Sequence, residues 1–148
     1  LVQLDSANRE EYQGRYADYR QRWDAAIEKW QQQAAGLQGM PVVVYHRSWI
    51  YLQDWLGLRE VAALEPKPGI PPSSGQLAKL LDLAASEGVQ TVIYGQYQDT
   101  RSVNWFSERA EVPATLVPTT VGGTEAANDL FSWFDDIINR LLAARGDQ

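Results

Sequence analysis

The chain of 148 residues contains no cysteine and carries a net charge of −6, with a pI of about 4.7. The lack of cysteine excludes disulfide bonds, thiolate metal sites and thiol nucleophiles. The acidic balance, with Lys and Arg scattered among acids, argues against nucleic acid or an anionic membrane as the partner.

The start of the sequence predicts a processed or truncated product. The first residue is Leu1 rather than Met, and the residues after it already lead into a helical pattern. We find no signal-peptide pattern in these residues and no apolar run that approaches the ~20 residues that span a bilayer. We therefore expect one domain here and further sequence on its N-terminal side.

A long amphipathic helix is predicted for residues 6–35. Its apolar side chains recur at spacings of three and four, which places them on one face. The residues of this face are Tyr12, Tyr16, Tyr19, Trp23, Ile27, Trp30 and Ala34. We expect most of the face to pack within the protein. A second hypothesis is that the long helix allows two copies of the chain to associate.

Short apolar segments then alternate with helices. Strands are predicted at residues 41–45, 61–64, 89–95 and 114–117, and helices at residues 48–56, 76–87 and 100–110 and near the C-terminus. Ser48 and Thr124 are expected to cap the helices that follow them, and Ser73 with Gln76 forms a capping box. This alternation predicts an α/β fold, a four-stranded parallel sheet with helices on both faces, preceded by the long helix.

His46 is the only histidine, and it comes directly after the first strand in "VVVYHRSWIY". The segments that follow parallel strands emerge at one edge of the sheet, where open α/β folds bind ligands. One imidazole nitrogen can bind a metal ion while the other donates to an acceptor, for which Glu65 at the end of the neighbouring strand is the candidate. The alternatives are a structural histidine bonded to a backbone carbonyl and a solvated Glu65.

Other chemistries have weaker support in the sequence. No GxSxG motif accompanies His46, so a hydrolase triad is not indicated. The segment "VGGT", residues 121–124, can bind an anion at a helix N-terminus or simply form a turn. A small flavodoxin-like enzyme domain with His46 as general base remains the main alternative to a metal-binding role, and an interaction module with a structural His46 is a third.

The segments "VVVYHRSWIYLQDWLGL", "LEPKPGIPPSSGQLAKLL", "VQTVIYGQYQD" and "VPATLVPTTVGGT" occur in an order that resembles a known family. Together with the long first helix and the closing helix, they are similar to the C-terminal lobe of the zinc/manganese substrate-binding proteins of bacterial metal ABC importers. The most specific part is the strand-end His46 followed by Trp49, "YL" and "GL", and then by the Glu-Pro loop with its capped helix. The resemblance covers essentially the whole chain.

The resemblance implies a division into a connecting helix, residues 1–38, and a C-terminal metal-binding lobe, residues 39–148. It implies that His46 is one metal ligand, that two more histidines come from an N-terminal lobe outside this sequence, and that the cargo is Zn²⁺ rather than Mn²⁺. Many members add a carboxylate from the loop after the last strand, where this chain has Thr119. The family also implies a membrane permease as partner, a periplasmic or other extracytoplasmic location, and no enzymatic activity.

Overall fold

The computed structural model describes residues 1–67, 69–70 and 72–145. The chain divides into two compact units, Leu1–Gln33 and Ala34–Gln148. Among the described residues, no helix has both the length and the hydropathy required to cross a membrane.

The first unit is a short 3₁₀ turn, Ser6–Asn8, followed by the helix α1, Arg9–Gln33, which confirms the predicted long helix. Ion pairs at a spacing of four residues run along its exposed surface, between Glu11 and Arg15, Asp18 and Arg22, and Arg20 and Asp24. Because solvent screens exposed pairs of this kind, they add only marginally to the stability of the helix. Within the same helix, the ring of Trp23 stacks on Tyr19 and meets Trp30 edge-on.

The second unit begins with a 3₁₀ turn, Ala34–Leu37, and continues as alternating strands and helices. The strands are β1 Pro41–Val44, β2 Arg59–Ala63, β3 Thr91–Tyr94 and β4 Ala114–Leu116. The helices are α2 Ile50–Leu56, α3 Ser74–Glu87, α4 Thr100–Ala110 and α5 Leu130–Ala144. All strand pairs are parallel and the sheet order is β2-β1-β3-β4, which confirms the predicted fold class.

The two faces of the sheet bury alternate residues of the same strands. On one face, Val43 and Val92 belong to a core with Leu77 of α3 and Phe106 of α4. Val42, Val44 and Ile93 are also fully buried but point to the other face because side chains alternate. There α5 packs against β4 and the 3₁₀ turn, and Trp55 of α2 meets Phe134 of α5 edge-on at 5.5 Å between ring centroids. Helices on both faces explain why the strands read as continuous apolar runs.

The helix ends that depend only on neighbouring residues lie where the sequence predicts them. Ser73 and Gln76 form the predicted capping box of α3, and Gly57 and Gly88 end α2 and α3 in the left-handed conformation.

Two predicted caps are wrong. Ser48 does not cap α2, which begins at Ile50 after Trp49 and has no side-chain cap. Thr124 does not cap α5, because Asp129 forms a capping box with Ser132 instead. Ser48 and Thr124 therefore both lie in loops that run on before their helices begin.

Candidate metal site

The carboxyl edge of the sheet brings the predicted site residues to one side of the second unit. Because all strands are parallel, the residues that follow them emerge together. In sheet order, Glu65 follows β2, His46 follows β1, Gly95 follows β3 and Thr119 follows β4. Adjacent strands lie about 4.8 Å apart, so His46 and Glu65 are neighbours and Thr119 lies two strands away from His46.

His46 contacts Glu65 directly. The imidazole Nδ1 lies 2.7 Å from Glu65 Oε2, a distance at which the ring N–H donates a hydrogen bond to the carboxylate. The His46 side chain is 31% exposed and that of Glu65 is 10% exposed, so the acceptor is nearly enclosed while the imidazole reaches solvent. The pair therefore lies at the surface of the edge and not in the core.

Backbone contacts hold Glu65 in place. Its N–H donates to the carbonyl of Tyr45 at 3.0 Å, which extends the pairing of β2 with β1 by one step. Its second carboxylate oxygen, Oε1, accepts a hydrogen bond from the Gly69 N–H at 2.8 Å. One carboxylate thus joins the imidazole of His46 to the Pro-Gly loop that follows β2.

This hydrogen bond favours one tautomer of the His46 imidazole. In a neutral imidazole that donates from Nδ1, the lone pair is on Nε2. Metal-binding histidines usually donate their other ring N–H to a carboxylate or a carbonyl, which orients the ring and increases its basicity. The arrangement of His46 and Glu65 has this form.

Thr119 is exposed in a loop that several contacts anchor. Its N–H donates to Gln96 Oε1 at 3.1 Å, and the carbonyl of Pro118 accepts from Trp133 Nε1 at 2.8 Å. Further along, the Thr124 hydroxyl donates to the buried Asp136 at 2.6 Å. Sequence reasoning missed these supports, because no motif marks a contact that joins segments so far apart in the chain.

The anion site considered for residues 121–124 is not formed. The N–H of Gly122 donates to Ala127 O and that of Gly123 to Thr120 O, so both groups are used within the loop. The next helix begins only at Leu130, which removes the helix N-terminus that an anion site would need.

The described residues contain no group of three or more His, Asp or Glu side chains that could hold a metal ion. A zinc site takes three or four protein donors. His46 and Glu65 therefore do not complete a zinc site with other side chains in the part of the chain that the structure describes.

Tyr45, next to His46, should make stability pH-dependent in alkaline solution. Burial, reinforced by the carboxylates of Glu65 and Asp99, raises the pKa of Tyr45 above its ordinary value of 10.0. A raised pKa stabilises the fold below the ordinary value, and this contribution is lost as the pH rises through the folded-state pKa. We expect the free energy of unfolding to fall more steeply between about pH 9 and about pH 11 in the wild type than in Tyr45→Phe.

Denaturant titrations at several pH values measure this difference. Tyr97→Phe is the matched control because the Tyr97 side chain is 84% exposed. Equal slopes for the wild type and Tyr45→Phe would contradict the prediction.

Residues 1–144 match the sequence profile of the family described as zinc-uptake complex component A, periplasmic. The chain belongs to this family. The match includes every helix and strand described above. No curated protein sequence matches the chain.

Solved structures share the fold of this family member. A crystal structure of ZnuA superimposes with a TM-score of 0.78 at 21% identity, over 98% of this chain and 52% of that one. The metal-dependent lipoprotein YcdH from Bacillus subtilis superimposes with a TM-score of 0.74 at 17% identity, over 97% of this chain and 56% of that one. FpvC from Pseudomonas aeruginosa, solved in complex with Mn²⁺, gives 0.66 at 20% identity, over 97% and 54%. The chain therefore spans about half the length of these structures.

Proposed function

We propose that this chain is the C-terminal lobe of an extracytoplasmic binding protein that captures Zn²⁺ and delivers it to the permease of an ABC importer. The observation that carries the proposal is the His46–Glu65 pair at the carboxyl edge of the sheet, in a chain of the zinc-uptake component A family. The proposed role is binding and not catalysis, because the Glu65 carboxylate is placed to orient His46 as it would a metal-binding histidine.

Zn²⁺ is the proposed cargo because the donor available here is an imidazole. Nitrogen donors suit Zn²⁺, whereas Mn²⁺ favours carboxylate and water oxygens. Thr119 stands in the loop after β4, where the resemblance places a carboxylate in many members, so this loop offers no acidic donor at that position. We propose a site in which His46 is joined by histidines from another lobe and by water.

The proposal divides the chain by role. Residues 1–38 act as the helix that connects two lobes, and residues 39–148 form the lobe that carries His46. The half-length match to the solved structures supports a second lobe that supplies the other ligands. A site between two lobes on one connecting helix would load metal through small tilts and loop movements.

A zinc titration tests this function. We expect the two-lobed protein, of which we propose this chain is a part, to bind one Zn²⁺ with a nanomolar Kd in competition with a chromophoric chelator. We expect the 148-residue chain alone to bind only weakly, because it contributes a single imidazole. Failure of the two-lobed protein to bind Zn²⁺, or nanomolar stoichiometric binding by the isolated chain, would overturn the proposal.

A further inference from the structure

Gly95, the residue directly after β3, is buried, and its backbone conformation is one that residues other than glycine also adopt. Its φ lies outside the left-handed region that side chains avoid, unlike those of Gly57 and Gly88. Conformational freedom therefore does not explain why this position lacks a side chain. The remaining reason for a glycine is close approach of other groups.

The space above Gly95 is filled by side chains from two other segments of the sheet edge. A Cβ placed on Gly95 would lie 2.9 Å from Thr119 Cγ2 and 3.8 Å from Trp49 Cζ2. The first distance is too short for two carbon atoms, while the second is an ordinary van der Waals contact. Thr119 and Trp49 thus close over the end of β3 because no side chain is there.

Gly95 lies between the two predicted site residues that flank it. Val44 pairs with Ile93, and Tyr45 N–H donates to Ile93 O at 2.7 Å. Counting on from this register brings His46 level with Gly95 at the ends of β1 and β3. On the other side, Val117 N–H donates to Tyr94 O at 2.8 Å, which leads the chain to Thr119.

Thr119 is the residue that would have to move if position 95 carried a side chain. Trp49 is buried at 7% exposure, whereas Thr119 is exposed. The backbone of Thr119 is held by Gln96, and the preceding carbonyl by Trp133, so the least costly response is rotation of the threonine side chain about χ1. Such a rotation moves both the methyl and the hydroxyl group and changes what Thr119 presents at the edge.

We propose that Gly95 is a positioning residue of the metal cleft. The absence of a side chain at the end of β3 lets Thr119 close over it, and this sets one rotamer of Thr119 and the width of the cleft between His46 and the β4 loop. The inference rests on the proposed metal-binding function, which it deepens by naming the residue that shapes the cleft opposite His46.

Zinc titrations of the two-lobed protein and its variants test this role. We expect Gly95→Ala to raise the Kd about 10-fold, in the range seen when groups that orient metal sites are removed. Thr119→Ser removes Cγ2, the atom that would meet the new side chain, and serves as the reference for the double variant. The double variant Gly95→Ala/Thr119→Ser should bind about as tightly as Thr119→Ser, because the contact at 2.9 Å is then gone and Trp49 Cζ2 lies at an ordinary van der Waals distance of 3.8 Å. The difference from additivity measures the contact.

Denaturant unfolding of the metal-free proteins provides a second readout. We expect Gly95→Ala to change the free energy of unfolding little, because the exposed Thr119 side chain can rotate. The inference would be overturned by an unchanged Kd in Gly95→Ala, or by an equal loss of affinity from Gly95→Ala in the wild-type and Thr119→Ser backgrounds. His46→Gln separates this failure from failure of the proposed function. If His46→Gln binds as tightly as the wild type, the metal site itself is wrong; if it binds weakly while Gly95→Ala is unaffected, only the role of Gly95 is wrong.

Discussion

The His46→Gln variant of the two-lobed protein is expected to bind Zn²⁺ about 100-fold more weakly than the wild type, or about 2.7 kcal/mol, since loss of a ligand should cost at least as much as loss of its supporting group. An imidazole nitrogen is a strong donor to Zn²⁺, whereas a neutral amide oxygen is a weak one. Glutamine can still donate a hydrogen bond from its amide to Glu65, so the nearly enclosed carboxylate keeps a partner. The loss should therefore appear in metal affinity and not in the fold.

Competition titration with a chromophoric chelator measures the affinity, and denaturant unfolding of the metal-free protein provides the control. His46→Ala is less suitable because it leaves Glu65 without its imidazole partner. A buried acceptor without a partner costs about 1–3 kcal/mol, which would mix a stability effect with the binding effect. A His46→Gln protein with the wild-type affinity for Zn²⁺ would exclude His46 as a ligand.

Replacing Glu65 with glutamine is expected to weaken Zn²⁺ binding by about 10–100-fold, the usual cost of losing the group that orients a metal-binding histidine. The carboxylate accepts two hydrogen bonds, from His46 Nδ1 and from the Gly69 N–H, one on each oxygen. An amide has only one oxygen, so it accepts from one of these donors and turns its own NH₂ toward the other. Either His46 or the loop then loses its support.

Glu60→Gln is the matched control for Glu65→Gln. Glu60 is also a glutamate of the β2 segment, and its carboxylate accepts hydrogen bonds from Gln53 and pairs with Arg47. Neither of these contacts involves His46, so the Glu60→Gln protein should bind Zn²⁺ with the wild-type affinity. If Glu65→Gln and Glu60→Gln lower the affinity equally, Glu65 has no special role in orienting His46.

Local signals in the sequence predicted the helix ends that depend on nearby residues. The Ser73–Gln76 box closes within three residues, and Gly57 and Gly88 end helices through their own backbone conformation. Thr124 is not the cap because the helix begins only at Leu130, where Asp129 and Ser132 form the capping box, while the Thr124 hydroxyl donates to Asp136. Residue type alone therefore does not show which of several candidate caps a helix uses.

The start of strand β2 also depends on contacts that the local sequence pattern does not reveal. The sequence predicts this strand from Val61, but it begins at Arg59, where Arg59 pairs with Pro41 and its guanidinium binds Glu87 at the end of α3. β2 is an edge strand, so polar side chains are tolerated on it and the apolar run understates its length.

The sequence by itself determined the order of the elements, the parallel α/β class and the position of His46 at a strand end, because periodicity, caps and glycine stops act within a few residues. Only the tertiary structure decided that Glu65 reaches His46, that Gln96 and Trp133 anchor the Thr119 loop, and that Gly95 is a glycine for reasons of space. These contacts join residues about 15 or more positions apart, and such distances depend on strand order and register, which arise only when the whole sheet is assembled.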